Sequence, residues 1–234
     1  MIYAYAVVRA GCAPEPTAGI DGAPVELLSA GTLAAVCSSH PTAGMEPDPN
    51  HLAAHNRVTT AMLATGAVVP LRFGTTFPDD GAVREALVAR ARRLEALLRQ
   101  LEGKVEFGVR ARCDKPPAAA EPAPLAAVTS GTETSPAAGT PGRSYLESLR
   151  RSRRDPAGGL AAPLRDLHHT LSGRVAAAVL LPAEEGLVAA YLVGAAESSA
   201  FRAAVGAAAD EDLHAELSGP WAPYTFVTAE ASGA

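Results

Sequence analysis

The chain has 234 residues, a formal net charge of −5 and 48% hydrophobic residues, enough for one large domain or two compact ones. This acidic balance gives no overall attraction to nucleic acid or to an anionic membrane, so we expect neither as a partner. The first residues lack the basic region of a signal peptide, no apolar run reaches membrane-spanning length, and three scattered cysteines indicate free thiols. We therefore expect a soluble, cytoplasmic protein.

The first part of the chain predicts a small mixed sheet with helices. Apolar residues 2–8 predict a strand, and residues 25–29 and 33–38 predict a hairpin that turns at Gly31. Asp48 and Pro49 have the residue types of an N-cap and a first helical position, so a helix is expected over 48–65. A fourth strand is expected within 67–77, started by Pro70, with Leu71 and Phe73 both facing the core.

The periodicity of residues 79–103 predicts the longest helix. Its apolar residues recur at helical spacing and fall on one face, namely Val83, Leu87, Ala91, Leu94, Leu98 and Leu101. From Lys104 the pattern changes to strict alternation. Val105, Phe107 and Val109 are expected to face a core, and the residues between them, Glu106, Gly108 and Arg110, to face outward.

The rest of the chain predicts a second unit. Residues 115–140 are rich in Ala and Pro with few large apolar residues, and this composition predicts a disordered insertion. Helices are expected over 140–154 and 159–172, a hairpin over 175–193, a helix after Ser199, and a last strand that includes 224–227. Strand, helix, strand, strand, helix, strand is the ferredoxin-like order. The fold class is therefore predicted as α+β, with an N-terminal domain over 1–103 and a ferredoxin-like domain over 104–234.

Few residues have the spacing of a reactive or metal site. His51 and His55 lie one helical turn apart, but a third metal ligand is missing nearby, and a buried, hydrogen-bonded His55 is the commoner arrangement. Ser38 and His40 weakly resemble a nucleophile with its base, although a strand end is the simpler interpretation. Cys37 lies in an apolar strand and is expected to be an inert core thiol. We predict no catalytic residue, no cofactor and no metal site.

A cluster of arginines lies within the predicted helix over 140–154. A solvated helix face is its plain interpretation, and a docking site for an acidic patch on another protein is its functional one. The residues assigned to this partner-binding hypothesis are Arg143, Arg150, Arg151, Arg153 and Arg154.

Two short segments hold three of the five phenylalanines and the single tryptophan: residues 70–77 (PLRFGTTF) and 219–227 (GPWAPYTFV). On physical grounds both are expected to shape the fold, the first in a strand of the N-terminal unit and the second closing the last sheet, with Trp221 packed as an anchor. The residues assigned this structural role are Pro70, Arg72, Phe73, Gly74, Gly219, Pro220, Trp221 and Tyr224.

These two segments resemble the signature segments of the GvpF/GvpL family of gas vesicle proteins. Shorter pieces also match, at residues 3–5 (YAY), 54–56 (AHN), 101–106 (LEGKVE), 142–146 (GRSYL) and 190–193 (AYLV). The resemblance covers nearly the whole chain except 115–140. It implies a two-domain α+β fold with a ferredoxin-like C-terminal domain and no enzymatic activity.

The family resemblance also implies a function and partners. Its members are minor gas vesicle components or assembly factors, thought to bind the small hydrophobic shell protein, and other accessory proteins, and to keep the shell protein from aggregating. A chaperone-like role at the gas vesicle in the cytoplasm is therefore expected. Two other classes stay open: a ferredoxin-like regulatory ligand-binding module, and a haem- or metal-dependent α+β barrel enzyme.

Overall fold

The first sheet is built from the N-terminal hairpin and its neighbours. The computed structural model describes residues 1–12, 17–41, 46–114 and 160–231, with side chains to residue 227. The elements of the first part are β1 (Ile2–Arg9), β2 (Glu26–Ala30), β3 (Leu33–Ser39), α1 (Pro49–Met62), β4 (Val69–Pro70) and β5 (Thr76–Phe77). The predicted first strand, hairpin and helix are confirmed, and the Asp48 carboxylate accepts from the backbone N–H groups of Asn50 and His51.

The second sheet is built from the later part of the chain. Helices α2 (Asp80–Ala89) and α3 (Ala91–Leu101), which contact strands of the first sheet, come before it. The elements that follow are β6 (Lys104–Cys113), α4 (Ala162–Ser172), β7 (Ala177–Leu180), β8 (Leu187–Gly194), α5 (Ser198–Ala208), β9 (Leu213–Trp221) and α6 (Tyr224–Ala231). Both sheets are antiparallel. The first has the order β2-β3-β1-β4, with β5 also paired to β1, and the second has the order β7-β8-β6-β9.

The apolar residues form three clusters that stack the elements in layers. One cluster joins α1 to one face of the first sheet, and another joins α4 and α5 to one face of the second sheet. The middle cluster contains residues of the first sheet, of α2 and α3, of β8 and of α6. The two sheets therefore share one core. The fold is α+β; its division into domains at residue 103 and the ferredoxin-like description of the second part stay predictions.

The expected long helix over 79–103 is wrong in one respect, because it is two helices. At Arg90 the backbone leaves the helical region (φ −111°, ψ 12°), and α3 begins at the next residue. In α3, Leu97 is buried along with the predicted Leu94, Leu98 and Leu101. No Gly or Pro marks Arg90, so tertiary packing rather than propensity sets the break.

The segment after β4 also differs from the prediction. Pro70 ends a two-residue strand, and residues 71–75 form a turn in which Gly74 has φ +85°. Leu71 packs against the middle cluster, whereas Phe73 packs against the cluster on the α1 face. The two side chains therefore do not share a face, as a continuous strand would require.

The C-terminal segment divides between a strand and a helix. Strand β9 ends at Trp221, and Tyr224 to Val227 lie in α6 instead of the predicted last strand. The predicted insertion over 115–140 and the predicted helix over 140–154 lie outside the described residues. Among the helices that the structure does describe, none combines the length and hydropathy that a bilayer crossing needs.

Candidate functional site

The two signature segments, expected in separate domains, meet around His55 of α1. From the first segment, the Leu71 carbonyl accepts a hydrogen bond from His55 Nε2 at 3.1 Å, and the Phe73 ring centroid lies 5.7 Å from that of His55. From the second segment, the Tyr224 ring centroid lies 6.1 Å from that of His55 on another side. His55 therefore joins the two segments, and we call these residues and Tyr3 the His55 cluster.

The hydrogen bonds of the His55 cluster fix the state of its imidazole. A carbonyl oxygen can only accept, so Nε2 carries the proton and Nδ1 accepts from the Tyr3 hydroxyl at 2.8 Å. The Tyr3 oxygen accepts in turn from the Gly74 N–H at 3.1 Å. Burial lowers the pKa of His55, which favours this neutral form. The predicted buried, hydrogen-bonded histidine is confirmed, and it ties β1 and α1 to the turn after β4.

The second segment is held by a buried carboxylate on β6. Glu106, expected to face outward, is only 9% exposed, and it accepts from the Thr225 N–H at 2.8 Å and from the Thr225 hydroxyl at 2.7 Å. These bonds satisfy a backbone donor at the start of α6. Burial raises the pKa of Glu106, and the hydrogen bonds from Thr225 partly offset the rise.

Further contacts join α6 to α1. The Tyr224 hydroxyl lies 3.0 Å from the Thr59 hydroxyl and 3.4 Å from the Asn56 side-chain oxygen. Phe226 and Val227 enter the middle cluster between the sheets. The segment from 219, whose Gly219–Pro220 peptide is cis, therefore crosses from the edge of the second sheet onto the first helix.

Three signature side chains lie at the surface instead. Trp221, expected to pack as an anchor, is 41% exposed at the end of β9, and Pro220 beside it is exposed as well. Arg72 is exposed, and only its carbonyl has a role in the turn, accepting from the Thr75 N–H and hydroxyl.

The weak candidate at Ser38 and His40 forms a buried hydrogen-bond chain. The Ser38 Oγ lies 2.8 Å from His40 Nε2 and 2.7 Å from the Tyr5 hydroxyl, whose oxygen accepts from the Ile20 N–H. Ser38 is 2% exposed. Its hydroxyl is thus enclosed between two partners, and no substrate can approach it without rearrangement of the core.

The two helical histidines do not converge on a common ligand. His51 faces the surface, where its Nδ1 lies 2.9 Å from the Glu46 carbonyl and its Nε2 lies 3.1 Å from Asp21, and these contacts raise its pKa. His55 points inward to Tyr3. Within the described ranges, no group of three or more His, Cys, Asp or Glu side chains lies close enough to hold a metal ion.

The remaining predicted groups are placed as follows. Cys37 is buried, and burial raises the pKa of its thiol to about 12. The five arginines of the partner-binding hypothesis lie outside the described residues.

A groove of about 550 Å³ lies on the second sheet, and it is lined by side chains of both charge signs that include Arg110, Arg112 and Glu216.

The sequence did hold a signal for the His55 cluster, although its alternation pattern missed Glu106. The short pieces at 3–5, 54–56 and 101–106 that carried the family resemblance supply Tyr3, His55, Asn56 and Glu106. These residues contact the two signature segments. Three of the dispersed matches are thus parts of one assembly that joins both sheets.

Comparisons with known proteins identify relatives of this chain. The family model for gas vesicle synthesis protein GvpL/GvpF matches residues 1–228. Gas vesicle protein L from Streptomyces sp. (strain CB03234) is 32% identical over 96% of this chain and 91% of that protein. Gas vesicle protein F from the same strain is 37% identical over 48% of this chain and 49% of that protein.

Solved structures show the same fold. The crystal structure of GvpF from Microcystis aeruginosa covers 97% of this chain and 98% of its own, with a TM-score of 0.68 and 18% identity. That of GvpF from Anabaena sp. PCC7120 covers 97% and 95%, with a TM-score of 0.70 and 22% identity. The family model spans nearly the whole chain, and this chain therefore belongs to the GvpL/GvpF family of gas vesicle synthesis proteins.

Proposed function

We propose that this chain is an assembly factor or minor component of the gas vesicle, and that it binds the small hydrophobic shell protein. A subunit with a gas-facing apolar surface aggregates in water unless that surface is covered. The chain covers it during nucleation or growth of the shell, acts in the cytoplasm at the vesicle, and does so without catalysis. Membership of the GvpL/GvpF family over residues 1–228 supports this function.

The surface position of Trp221 supports a specific residue for the contact with the shell protein. A large aromatic side chain, 41% exposed, stands beside the exposed Pro220 at the point where the C-terminal segment is fixed by Glu106 and Thr225. Exposed aromatic side chains on a rigid support are typical anchors of protein interfaces, since little conformational freedom is lost on binding. We assign Trp221 to the contact with the shell protein.

A binding experiment tests this assignment. Immobilised full-length chain is titrated with the small shell protein kept in solution by mild detergent. We expect Trp221→Ala to weaken binding at least tenfold, as removal of an interface anchor does. Val88→Ala, which alters an apolar side chain 67% exposed on α2, serves as the matched control. Equal affinity of the Trp221→Ala variant and the wild type would exclude Trp221 from the contact.

The arginine-rich segment adds an electrostatic contact to shell or accessory proteins in this proposal. Charge reversal of Arg150, Arg151, Arg153 and Arg154 to Glu tests it in the same titration, at low and at physiological salt. Weaker binding at low salt supports the contact, and unchanged binding removes the arginines from the interface.

Deletion of the gene is expected to abolish buoyant vesicles, and normal vesicles in the deletion strain would refute the assembly role itself.

A further inference from the structure

The outer edges of the two sheets are protected to different degrees. On the outer edge of β9, Leu213 uses its N–H and C=O in hydrogen bonds with Asp210, and the Gly219 carbonyl accepts from Arg202 at 2.8 Å. In the first sheet, β2 carries the exposed Glu26 and packs beside α2, while β4 and β5 have two residues each. Charged side chains, hydrogen bonds to the outward backbone groups and short length are the usual features that keep an edge strand from pairing with another strand.

Strand β7 (four residues), the other edge of the second sheet, carries no charged side chain, and in the described part of the chain no side chain hydrogen-bonds to its outer edge. The Leu181 N–H donates to the Val188 carbonyl at 2.8 Å, so that by antiparallel alternation Val179 turns its backbone groups toward β8. Ala178 and Leu180 turn theirs away from it. Among the described residues, no donor or acceptor reaches the outward N–H and C=O groups of these two residues.

The side chains of β7 leave only its backbone rim available. Ala177 and Val179 pack against the middle cluster, and Ala178 and Leu180 pack against the cluster under α4 and α5. Residues 175–182 contain no charged side chain. An uncharged edge whose outward N–H and C=O groups have no partner among the described residues, on a strand with both faces already packed, fits one kind of partner, an extended strand that continues the sheet.

We propose that the strand bound here is β7 of a second copy of this chain. The two copies pair antiparallel about a two-fold axis at Val179, and Ala178 of each copy exchanges backbone hydrogen bonds with Leu180 of the other. The result is one continuous sheet of eight strands, made of two four-stranded sheets. This proposal does not rest on the role in gas vesicles.

The sequence of β7 fits pairing with itself. In this register, small or aliphatic side chains lie opposite one another, and no like charges meet. Pro182, the next residue whose N–H would point outward, has no N–H, so the ladder ends there. The strand thus offers a short set of bonds that a second β7 satisfies completely, whereas a longer foreign strand would leave groups of its own unpaired beyond Pro182.

Cross-linking tests the register. In a Cys12→Ser, Cys113→Ser background, Val179→Cys places two thiols at a non-hydrogen-bonded pair, where Cα atoms are about 4.5 Å apart and a disulfide can form. Leu181→Cys is the control: it faces residue 177 of the other copy, so its two thiols lie about 14 Å apart. We expect dimer cross-links under mild oxidation from the first variant only. Absent or equal cross-linking in the two variants overturns the register.

Sedimentation equilibrium tests the interface itself. We expect the wild-type full chain to dimerise reversibly with concentration, and Ala178→Pro, which removes an outward N–H, to raise the dissociation constant at least about tenfold. Ala215→Pro makes the same change at an outward position of β9 and is expected to leave dimerisation unchanged. A wild type that stays monomeric throughout, or a dimer that Ala178→Pro does not affect, refutes the proposal.

Chemical unfolding tests whether another part of the same chain, instead of a second copy, covers the outer edge of β7. Because the Ala178 N–H has no partner among the described residues, Ala178→Pro should leave the free energy of unfolding of the monomer nearly unchanged. A large loss of monomer stability from Ala178→Pro but not from Ala215→Pro would mean that another part of the same chain covers the β7 edge, and it would overturn the proposal of a second copy.

Discussion

Glu106 places a carboxylate in the interior, where it is the hydrogen-bond partner of the first turn of α6. Replacing it with alanine leaves the Thr225 N–H without this buried acceptor. We expect Glu106→Ala to lower the free energy of unfolding by about 1–3 kcal/mol, measured by urea denaturation. Glu216→Ala, at an exposed position on the neighbouring strand β9, is the control and should change it by less than about 0.5 kcal/mol. Equal effects of the two substitutions would contradict the assigned role.

The direction of the pKa shift of Glu106 determines how its contribution to stability changes with pH. Burial raises the pKa of this carboxyl in the folded state above its ordinary value, so the folded protein binds the proton more tightly than the unfolded chain. Its contribution to stability is complete below the ordinary carboxyl pKa, near 4, and is lost as the pH rises through the folded value.

This sign is testable against a variant that cannot titrate. Glu106→Gln keeps the shape and an acceptor oxygen. The stability of the wild type relative to this variant should therefore fall as the pH is raised from about 4, in urea unfolding series at matched ionic strength. A difference that stays constant, or that grows with pH, would show that the folded-state pKa of Glu106 is not raised.

At the level of elements, the packing of α3 goes beyond the apolar stripe that the sequence predicts. Leu97 lies outside that stripe but is 3% exposed in the middle cluster. We expect Leu97→Ala to cost about 2–5 kcal/mol in urea unfolding, as large-to-small core substitutions do. Val88→Ala, on the exposed side of α2, should cost less than about 0.5 kcal/mol. A small effect at Leu97 would contradict its place in the middle cluster.

Helix α6 shows why the C-terminal prediction failed. Pro220 and Pro223 favour extended backbone, and they suggested that the strand continues to Val227. The helix forms here because Glu106, far away in sequence, accepts from the N–H and the hydroxyl of Thr225, and because Phe226 and Val227 pack in the middle cluster. A cap supplied by another element leaves no local signal, so the residues after Pro223 could not reveal it.

For the whole molecule, the shared core predicts cooperative behaviour. Residues of both sheets, of α2, α3 and α6 belong to the middle cluster, so neither sheet keeps its packing when the other unfolds. We expect thermal transitions followed by far-UV circular dichroism and by fluorescence of Trp221, the single tryptophan, to coincide. Leu97→Ala should lower both midpoints equally. Two separate transitions would show that the halves unfold independently.

The sequence by itself determined the element types, the order of most strands and helices, and the family. The apolar runs over 2–8 and 33–38 and the cap at Asp48 are local signals that predicted their elements correctly, and the spacing over 83–101 predicted helix but not the break at Arg90. The signature segments and the short matched pieces were enough to indicate the GvpL/GvpF family, which the family model matches over residues 1–228.

Only the tertiary structure decided which of these pieces meet. Tyr3, His55, Leu71 and Tyr224 come from distant parts of the chain, and the bonds that join them depend on how α1, the turn after β4 and α6 pack. The same packing buried Glu106, broke the helix at Arg90 and left Trp221 at the surface. The physical reason is that burial and hydrogen-bond satisfaction are properties of the assembled chain, and a local pattern of polar and apolar residues does not contain them.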